Sequence, residues 1–187
     1  MGNLLGEEDE QKQLLYLESE IKKLNSLFNL YKSLYTDDDV ITSMNKISPN
    51  SFIFIQSGLE LFMLMSISKL TDKKVQHGHQ NLSIDRAFDI ARKNNWPTKN
   101  TLRSLIDRFK GNLKSNPFRE LRHAREAHIR LTVGMGHEQP PSVYLHDIQE
   151  KIDLLNQILS HFPNPHNVVY IEDHYKLSDF LFKHKLD

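Results

Sequence analysis

Residues 14–31 read LLYLESEIKKLNSLFNLY, and their apolar spacing indicates the architecture of the chain. The large apolar residues recur at alternating steps of three and four positions: Leu14, Leu17, Ile21, Leu24, Phe28 and Tyr31. An α-helix turns once about every 3.6 residues, so this spacing places all six side chains on one face. We therefore predict a long amphipathic helix whose apolar seam is buried against other helices.

The same helical spacing continues through most of the chain. It recurs in residues 84–91, 102–113 and 145–159, and a further helix is predicted from about Pro117 to Leu131. Thr36 and the three following aspartates are suited to ending one helix and capping the next, and Ser83 is expected to cap another. The predicted fold is all-α: a bundle of five to seven helices in a single domain, residues 1–187, with an irregular tail from about residue 163.

Residues 51–70 are apolar around nearly the whole circumference of a helix. The run of apolar residues near its start also suits a buried strand, but its length favours a helix. Such a helix has to be covered on all sides, either as the central helix of a bundle or as part of a subunit interface. Because Gln56, Glu60 and Lys69 interrupt the stretch, we expect no membrane span.

Composition excludes several classes of protein. The 187 residues include no cysteine, which excludes disulfide frameworks, thiolate nucleophiles and cysteine-ligated metal centres. The start of the chain carries the acidic run Glu7-Glu8-Asp9-Glu10 and lacks the basic residues of a secretory signal. We expect a soluble, cytoplasmic protein.

The charge is unevenly distributed although its sum is zero. Residues 99–130 contain nine Lys and Arg against three acidic residues, a net charge of plus six. Such a segment is typical of a surface that attracts phosphate backbones, and it is equally typical of two solvated helix faces. Charge alone leaves both interpretations open.

One histidine within that segment interrupts an apolar helix face. A helix that places Leu121, Ala124 and Leu131 on one face places His128 among them. Arg125 lies three residues before His128, and a guanidinium nearby keeps the imidazole neutral and able to accept a proton. The alternatives are a core histidine bonded to a neighbour, and a surface ion pair between Arg122 and Glu126.

The stretch Arg122-His123-Ala124-Arg125-Glu126-Ala127-His128 resembles the signature of the HEPN superfamily: an arginine, a polar residue and, a few residues later, a histidine. Residues 66–72 (SISKLTD) and 81–84 (NLSI) are similar to the AbiU-type abortive-infection branch of that superfamily. The resemblance extends over most of the chain, from about Leu14 to Phe162. The presence of Arg125 and Glu126 inside the signature departs from the usual pattern.

The resemblance implies a helical, homodimeric, metal-independent endoribonuclease of a phage-defence or toxin–antitoxin system, with no cofactor. Arg122 and His128 would be catalytic, with His123 orienting groups at the site. The RNA-binding residues would be Arg119, Arg125 and Arg130. The site would form from two copies across the dimer interface, and an antitoxin or another defence protein is a possible partner.

Other interpretations stay open beside the nuclease. Some members of the superfamily bind RNA or a partner without cutting, so a non-catalytic binding module is the main alternative. A helical dimerisation protein with structural Arg and His side chains is a third. His77-Gly78-His79 supplies two imidazoles, an incomplete metal set, so no metal site is expected.

Overall fold

The structure, a computed structural model, describes residues 7–76, 79–111, 118 and 143–162, with backbone alone at 7–8, 76 and 79–80. These residues form six helices and one short antiparallel hairpin. The elements are α1 (Glu7–Tyr35), α2 (Asp38–Ile47), α3 (Pro49–Leu70), β1 (Val75–Gln76), β2 (His79–Gln80), α4 (Ile84–Lys93), α5 (Lys99–Lys110) and α6 (Leu145–Leu159). The predicted all-helical bundle is confirmed. The predicted helix from Pro117 to Leu131 and the predicted tail lie outside the described residues.

Helix α1 is the element on which the bundle is assembled. The six seam residues of α1 named above are all buried, and Leu34 extends the seam by one more turn. Helices α3 and α6 make the most extensive contacts with α1, and α2 and α4 also pack on it. The amphipathic pattern of the sequence therefore predicted the buried face of α1 correctly.

A second layer of packing joins α5 to α6 and α4. Both α5 and α6 contribute an apolar face with helical spacing to the main core. These side chains are Leu102, Leu105, Ile106, Phe109, Ile148, Ile152, Leu155 and Ile158. A smaller cluster of Leu34, Val40 and Met44 holds α2 against the end of α1. The predicted helices over residues 84–91, 102–113 and 145–159 are present as α4, α5 and α6, although residue 113 lies outside the described residues.

The helix caps agree with the sequence at one position and differ at another. Asp37 Oδ1 accepts the backbone N–H of Asp39 at 2.9 Å and that of Val40 at 3.2 Å, which caps α2 as expected. Ser83 occupies the N-cap position of α4, but its side chain makes no capping hydrogen bond. The Ser83 hydroxyl is fully buried without a hydrogen-bond partner, so the prediction that it caps α4 is wrong.

Helix α3 differs most from expectation. It is a helix, so the alternative of a buried strand is wrong, but it is not covered on all sides. Met63, Leu64 and Ile67 are buried in the core, whereas Phe54 is 79% exposed and Phe62 is 51% exposed. A fully covered central helix is thereby excluded.

By length and composition, α3 is the one helix in the described part of the chain that is long and apolar enough to cross a membrane. Only 22% of its most apolar 18-residue segment is buried inside the protein. Its C-terminal half is nevertheless packed into the main core with α1 and α6. A membrane span over the whole of α3 would therefore require the core to open.

We predict that Leu17→Ala lowers the free energy of unfolding by about 2–5 kcal/mol, because it leaves a cavity under a fully buried side chain of α1. Leu30→Ala is the matched control on the same helix. Leu30 is 37% exposed, and its loss is expected to cost less than about 1 kcal/mol. Urea unfolding followed by circular dichroism measures both values. Equal losses of unfolding free energy in the two variants would contradict the central position of the seam in the core.

Candidate functional site

The residues of the HEPN-like signature lie outside the described residues. These are the predicted catalytic residues and the predicted RNA-binding residues, namely Arg119, Arg122, His123, Arg125, His128 and Arg130. The structure describes the elements that precede and follow them in the chain, α5 and α6, and between these helices it describes Gly111, Phe118, Val143 and Tyr144. The structure therefore shows the surroundings of the candidate site, namely the helices before and after it in the chain.

Phe118, the described residue that lies closest to the signature in the sequence, is packed into the core. Its side chain is 2% exposed and belongs to the main apolar cluster. Arg122 follows only four residues later in the sequence. Because a buried phenylalanine contributes several kcal/mol of stability, the chain is held against the bundle immediately before the signature begins.

The cations of α5 form the first part of the basic segment, and the structure neutralises two of the four. Arg103 pairs with Asp107 one turn later at 2.9 Å, and Lys110 pairs with Asp85 of α4 at 2.5 Å. Arg108 is exposed and has no ion-pair partner in the part of the chain that the structure describes. Asp107 within α5 and Asp85 of α4 therefore each offset one of these cations.

Lys151 of α6 fixes the point at which the chain leaves α5. Its Nζ donates to the carbonyl oxygen of Phe109 at 2.7 Å and lies 5.7 Å from the centroid of the Phe109 ring. A cation at this position complements the negative end of the α5 dipole. Desolvation by burial lowers the pKa of Lys151. The sequence offered no signal for this contact, because 42 residues separate the two partners.

A cavity of about 340 Å³ lies between α1, the hairpin and α4. It is lined by residues from three separate parts of the chain: Gln13, Lys74, Val75, Asn81, Leu82, Arg86 and Asp89. Lys74 Nζ lies 2.8 Å from Asp89 Oδ2, so these two charges offset each other. The Nε of Arg86 donates to Gln13 Oε1 at 2.6 Å.

The described residues around this cavity are suited to binding a small polar group. The Arg86 guanidinium has no carboxylate within ion-pair distance among the described residues, and amide groups surround it. A guanidinium beside amide groups can hold a small polar or anionic group. Among the described lining residues there is no histidine and no serine. Sequence reasoning missed this cavity, since no local motif joins its residues.

Glu10 is a buried carboxylate near the start of α1. Its carboxylate is 6% exposed and accepts hydrogen bonds from Lys93 Nζ at 2.6 Å and from Asn94 Nδ2 at 3.1 Å. The Lys93 bond lowers the pKa of Glu10 against the opposing effect of burial, and Asn94 and the positive charge of Arg86 lower it further. This contact ties the first turns of α1 to the end of α4.

Metal ligands are not grouped in the described part of the chain. No cluster of three or more His, Asp or Glu side chains suited to a metal ion occurs there. His77 and Gly78 of the weighed His77-Gly78-His79 pair lie outside the described residues, and His79 is described by its backbone alone. The expectation of a metal-free protein therefore stays a prediction.

Comparison of the chain with protein-family models, with curated proteins and with solved structures finds no match in any of the three. No relative therefore supplies a function or a set of site residues.

We predict that Glu10→Gln lowers the free energy of unfolding at pH 7 by about 1.5 kcal/mol, because the substitution removes a charged acceptor. The folded-state pKa of Glu10 lies below the ordinary value of 4.5, so its stabilisation is complete above that pH. The stabilisation is lost as the pH falls through the lowered pKa. The difference between wild type and variant should therefore shrink below about pH 4.5.

Urea unfolding at a series of pH values tests this expectation. Glu20→Gln is the control, because Glu20 pairs with Lys23 near the surface at 2.9 Å. That substitution should change the free energy of unfolding by less than about 0.5 kcal/mol. A Glu10→Gln deficit that stays constant from pH 7 to pH 3 would contradict the assigned role.

Proposed function

We propose that this protein is a metal-independent endoribonuclease of a bacterial phage-defence or toxin–antitoxin type, acting as a homodimer. The observation that carries the proposal is the signature Arg122-His123 followed by His128. It supplies the two groups that RNA cleavage without a metal requires, a proton-transferring imidazole and a guanidinium. The proposal places both groups in one cleft shared by two copies.

The proposed reaction is an internal transfer of the phosphodiester. His128 accepts the proton of the RNA 2′-hydroxyl, and the 2′-oxygen forms a bond to phosphorus. The bond from phosphorus to the 5′-oxygen then breaks, and the leaving oxygen takes up a proton from an imidazolium at the site. Arg122 stabilises the negative charge that develops on the phosphorane. The products are a 2′,3′-cyclic phosphate and a 5′-hydroxyl end, so no water and no metal is consumed.

The roles of the neighbouring residues follow from their charge and position in the sequence. His123 orients groups at the site, and Arg119, Arg125 and Arg130 hold phosphates of the RNA strand. Arg108 of α5 supports this assignment, because it is an exposed cation in the same basic segment and has no described ion-pair partner. The burial of Phe118 supports a fixed position for the start of the signature.

A non-catalytic RNA-binding or partner-binding module is the second candidate. It is favoured by Glu126, which follows Arg122 by four residues and is therefore spaced to form an ion pair with it on a helix. Such a pair would occupy the guanidinium that the reaction requires. Binding without product would then be the activity of the protein.

We predict that the wild-type protein cleaves a single-stranded oligoribonucleotide in the presence of EDTA, and that His128→Ala and Arg122→Ala each lower the rate about 100-fold or more. The matched control is His146→Ala, because His146 is an exposed histidine at the start of α6. That variant should cleave at the wild-type rate. Gel electrophoresis gives the rates, and mass spectrometry identifies the cyclic phosphate.

A substrate with 2′-deoxyribose at the cleaved position should resist cleavage, because the nucleophile is then absent. Circular dichroism verifies that each variant is folded. Equal cleavage by wild type and His128→Ala would end the proposal. RNA binding that weakens steeply with salt, without product from wild type or from Glu126→Ala, would select the binding module instead.

A further inference from the structure

The exposed side of α3 carries a continuous apolar stripe. Ile55, Gly58, Phe62 and Met65 follow one another at steps of three and four residues, and Phe54 and Leu61 flank them. We call these six residues the α3 outer face. Its centre, Gly58, lies nine residues before the buried Ile67, which is about two and a half turns and therefore the opposite side of the helix.

The α3 outer face is held firmly in place from its inner side. Tyr31 Oη of α1 donates to Glu60 Oε1 at 2.9 Å and accepts from Gln56 Nε2 at 3.0 Å. Tyr35 Oη donates to the carbonyl oxygen of Phe52 at 2.8 Å. These bonds fix the rotation of α3 about its axis, so the apolar stripe is presented to solvent by a rigid scaffold.

The exposed apolar area has the size of one half of a protein–protein interface. From the exposed fractions of Phe54, Phe62 and Ile55, these side chains leave on the order of 350 Å² in contact with solvent, and the partly exposed Leu61 and Met65 add to this area. One partner in a standard interface buries about 800 Å², of which somewhat more than half is apolar. The outer face therefore matches the apolar share of such an interface.

A lipid surface fits this face poorly. The exposed half of α3, residues 51–62, is about 18 Å long at 1.5 Å per residue, which is too short for a hydrocarbon core of about 30 Å. Residues 47–68 contain no Lys or Arg, and the one charged residue among them is Glu60. Helices that lie on anionic membranes carry rows of cations beside their apolar face, and so do surfaces that bind nucleic acid.

We propose that the α3 outer face pairs with the same face of a second copy of this chain. The two helices would run antiparallel, with a two-fold axis close to Gly58. A Cβ added at Gly58 would meet no atom within 4 Å, so the surface is open at this point and the backbones can approach. On each side of the axis, Phe62 would pack against Phe54 of the partner subunit, as an isologous contact requires.

Two properties favour a second copy over an unrelated protein. An arrangement of large side chains on both sides of a central glycine is complementary to itself when it is rotated by a half turn. The chain also has zero formal net charge, so no long-range repulsion opposes self-association. The proposed function requires two copies, but this pairing is argued from α3 alone, and its test measures mass instead of cleavage.

We predict that the wild-type chain sediments at twice its 21.9 kDa, and that Phe54→Glu and Phe62→Glu each weaken the dimer about 30-fold or more. Tyr16→Glu is the matched control, because Tyr16 is a similarly exposed aromatic residue on α1. It should leave the dimer unchanged. Analytical ultracentrifugation over a concentration series measures the association constants, and circular dichroism confirms folding.

The absence of cysteine allows a second, independent test. Gly58→Cys should form a disulfide-linked dimer under mild oxidation, because the two-fold axis would bring the two thiols together. Ser104→Cys on the exposed side of α5 is the control and should stay monomeric on a non-reducing gel. A wild-type chain that is monomeric at every concentration would overturn the proposal. So would a dimer that the two glutamate substitutions leave unchanged and that Gly58→Cys fails to cross-link.

A monomer that sediments with phosphatidylglycerol vesicles would show that lipid occupies the face instead. Vesicles of phosphatidylcholine alone give the uncharged comparison. A dimer that forms through α3 while RNA stays intact would support this inference and count against the nuclease. The dimer proposal and the nuclease proposal can therefore be contradicted independently of each other.

Discussion

The bundle is organised by burial of the α1 seam, Leu14 to Tyr31, against the other helices. Helix α1 has 29 residues and is about 43 Å long, and four of the other five described helices pack directly on it. A bundle of this kind is stabilised mainly by the apolar area that each helix removes from water, because isolated helices of 10–15 residues are marginal in water. Helices α2 and α4, with ten residues each, gain their stability from this contact.

Charged contacts then fix the ends of the helices, where apolar packing is weakest. Glu10 and Lys93 join the start of α1 to the end of α4, and Lys151 of α6 satisfies carbonyl oxygens at the end of α5. Helix ends leave backbone groups without internal partners, so a buried charge placed there is compensated by hydrogen bonds as well as by the helix dipole. These contacts fix the start of α1 and the end of α5 against the rest of the bundle.

The sequence predicted those features that follow from local periodicity. The seam of α1 and the apolar faces of α4, α5 and α6 were predictable because each has one buried side, which imposes a helical period on the residues. The exposed side of α3 was not predictable for the opposite reason: a helix that is apolar all round carries no period to show which side is covered. The cavity beside Arg86 and the contact of Lys151 escaped prediction because their residues are distant in sequence. For the signature, sequence supplies the residue types, and the described residues add the burial of Phe118 just before it.

The distribution of charge connects the two proposals physically. Helix α3 makes its main contacts with α1 and α2 and carries no cation on its outer face, whereas α5 packs on α6 and α4 and carries Arg108 free of described ion pairs. A polyanion is attracted to the second surface and gains nothing from the first, since apolar contact does not neutralise phosphates. Self-association through α3 would therefore leave the cations of each copy accessible. Two copies joined in this way would double the positive surface available to one strand. A cleft shared by both signatures requires in addition that each signature lies beside the two-fold axis.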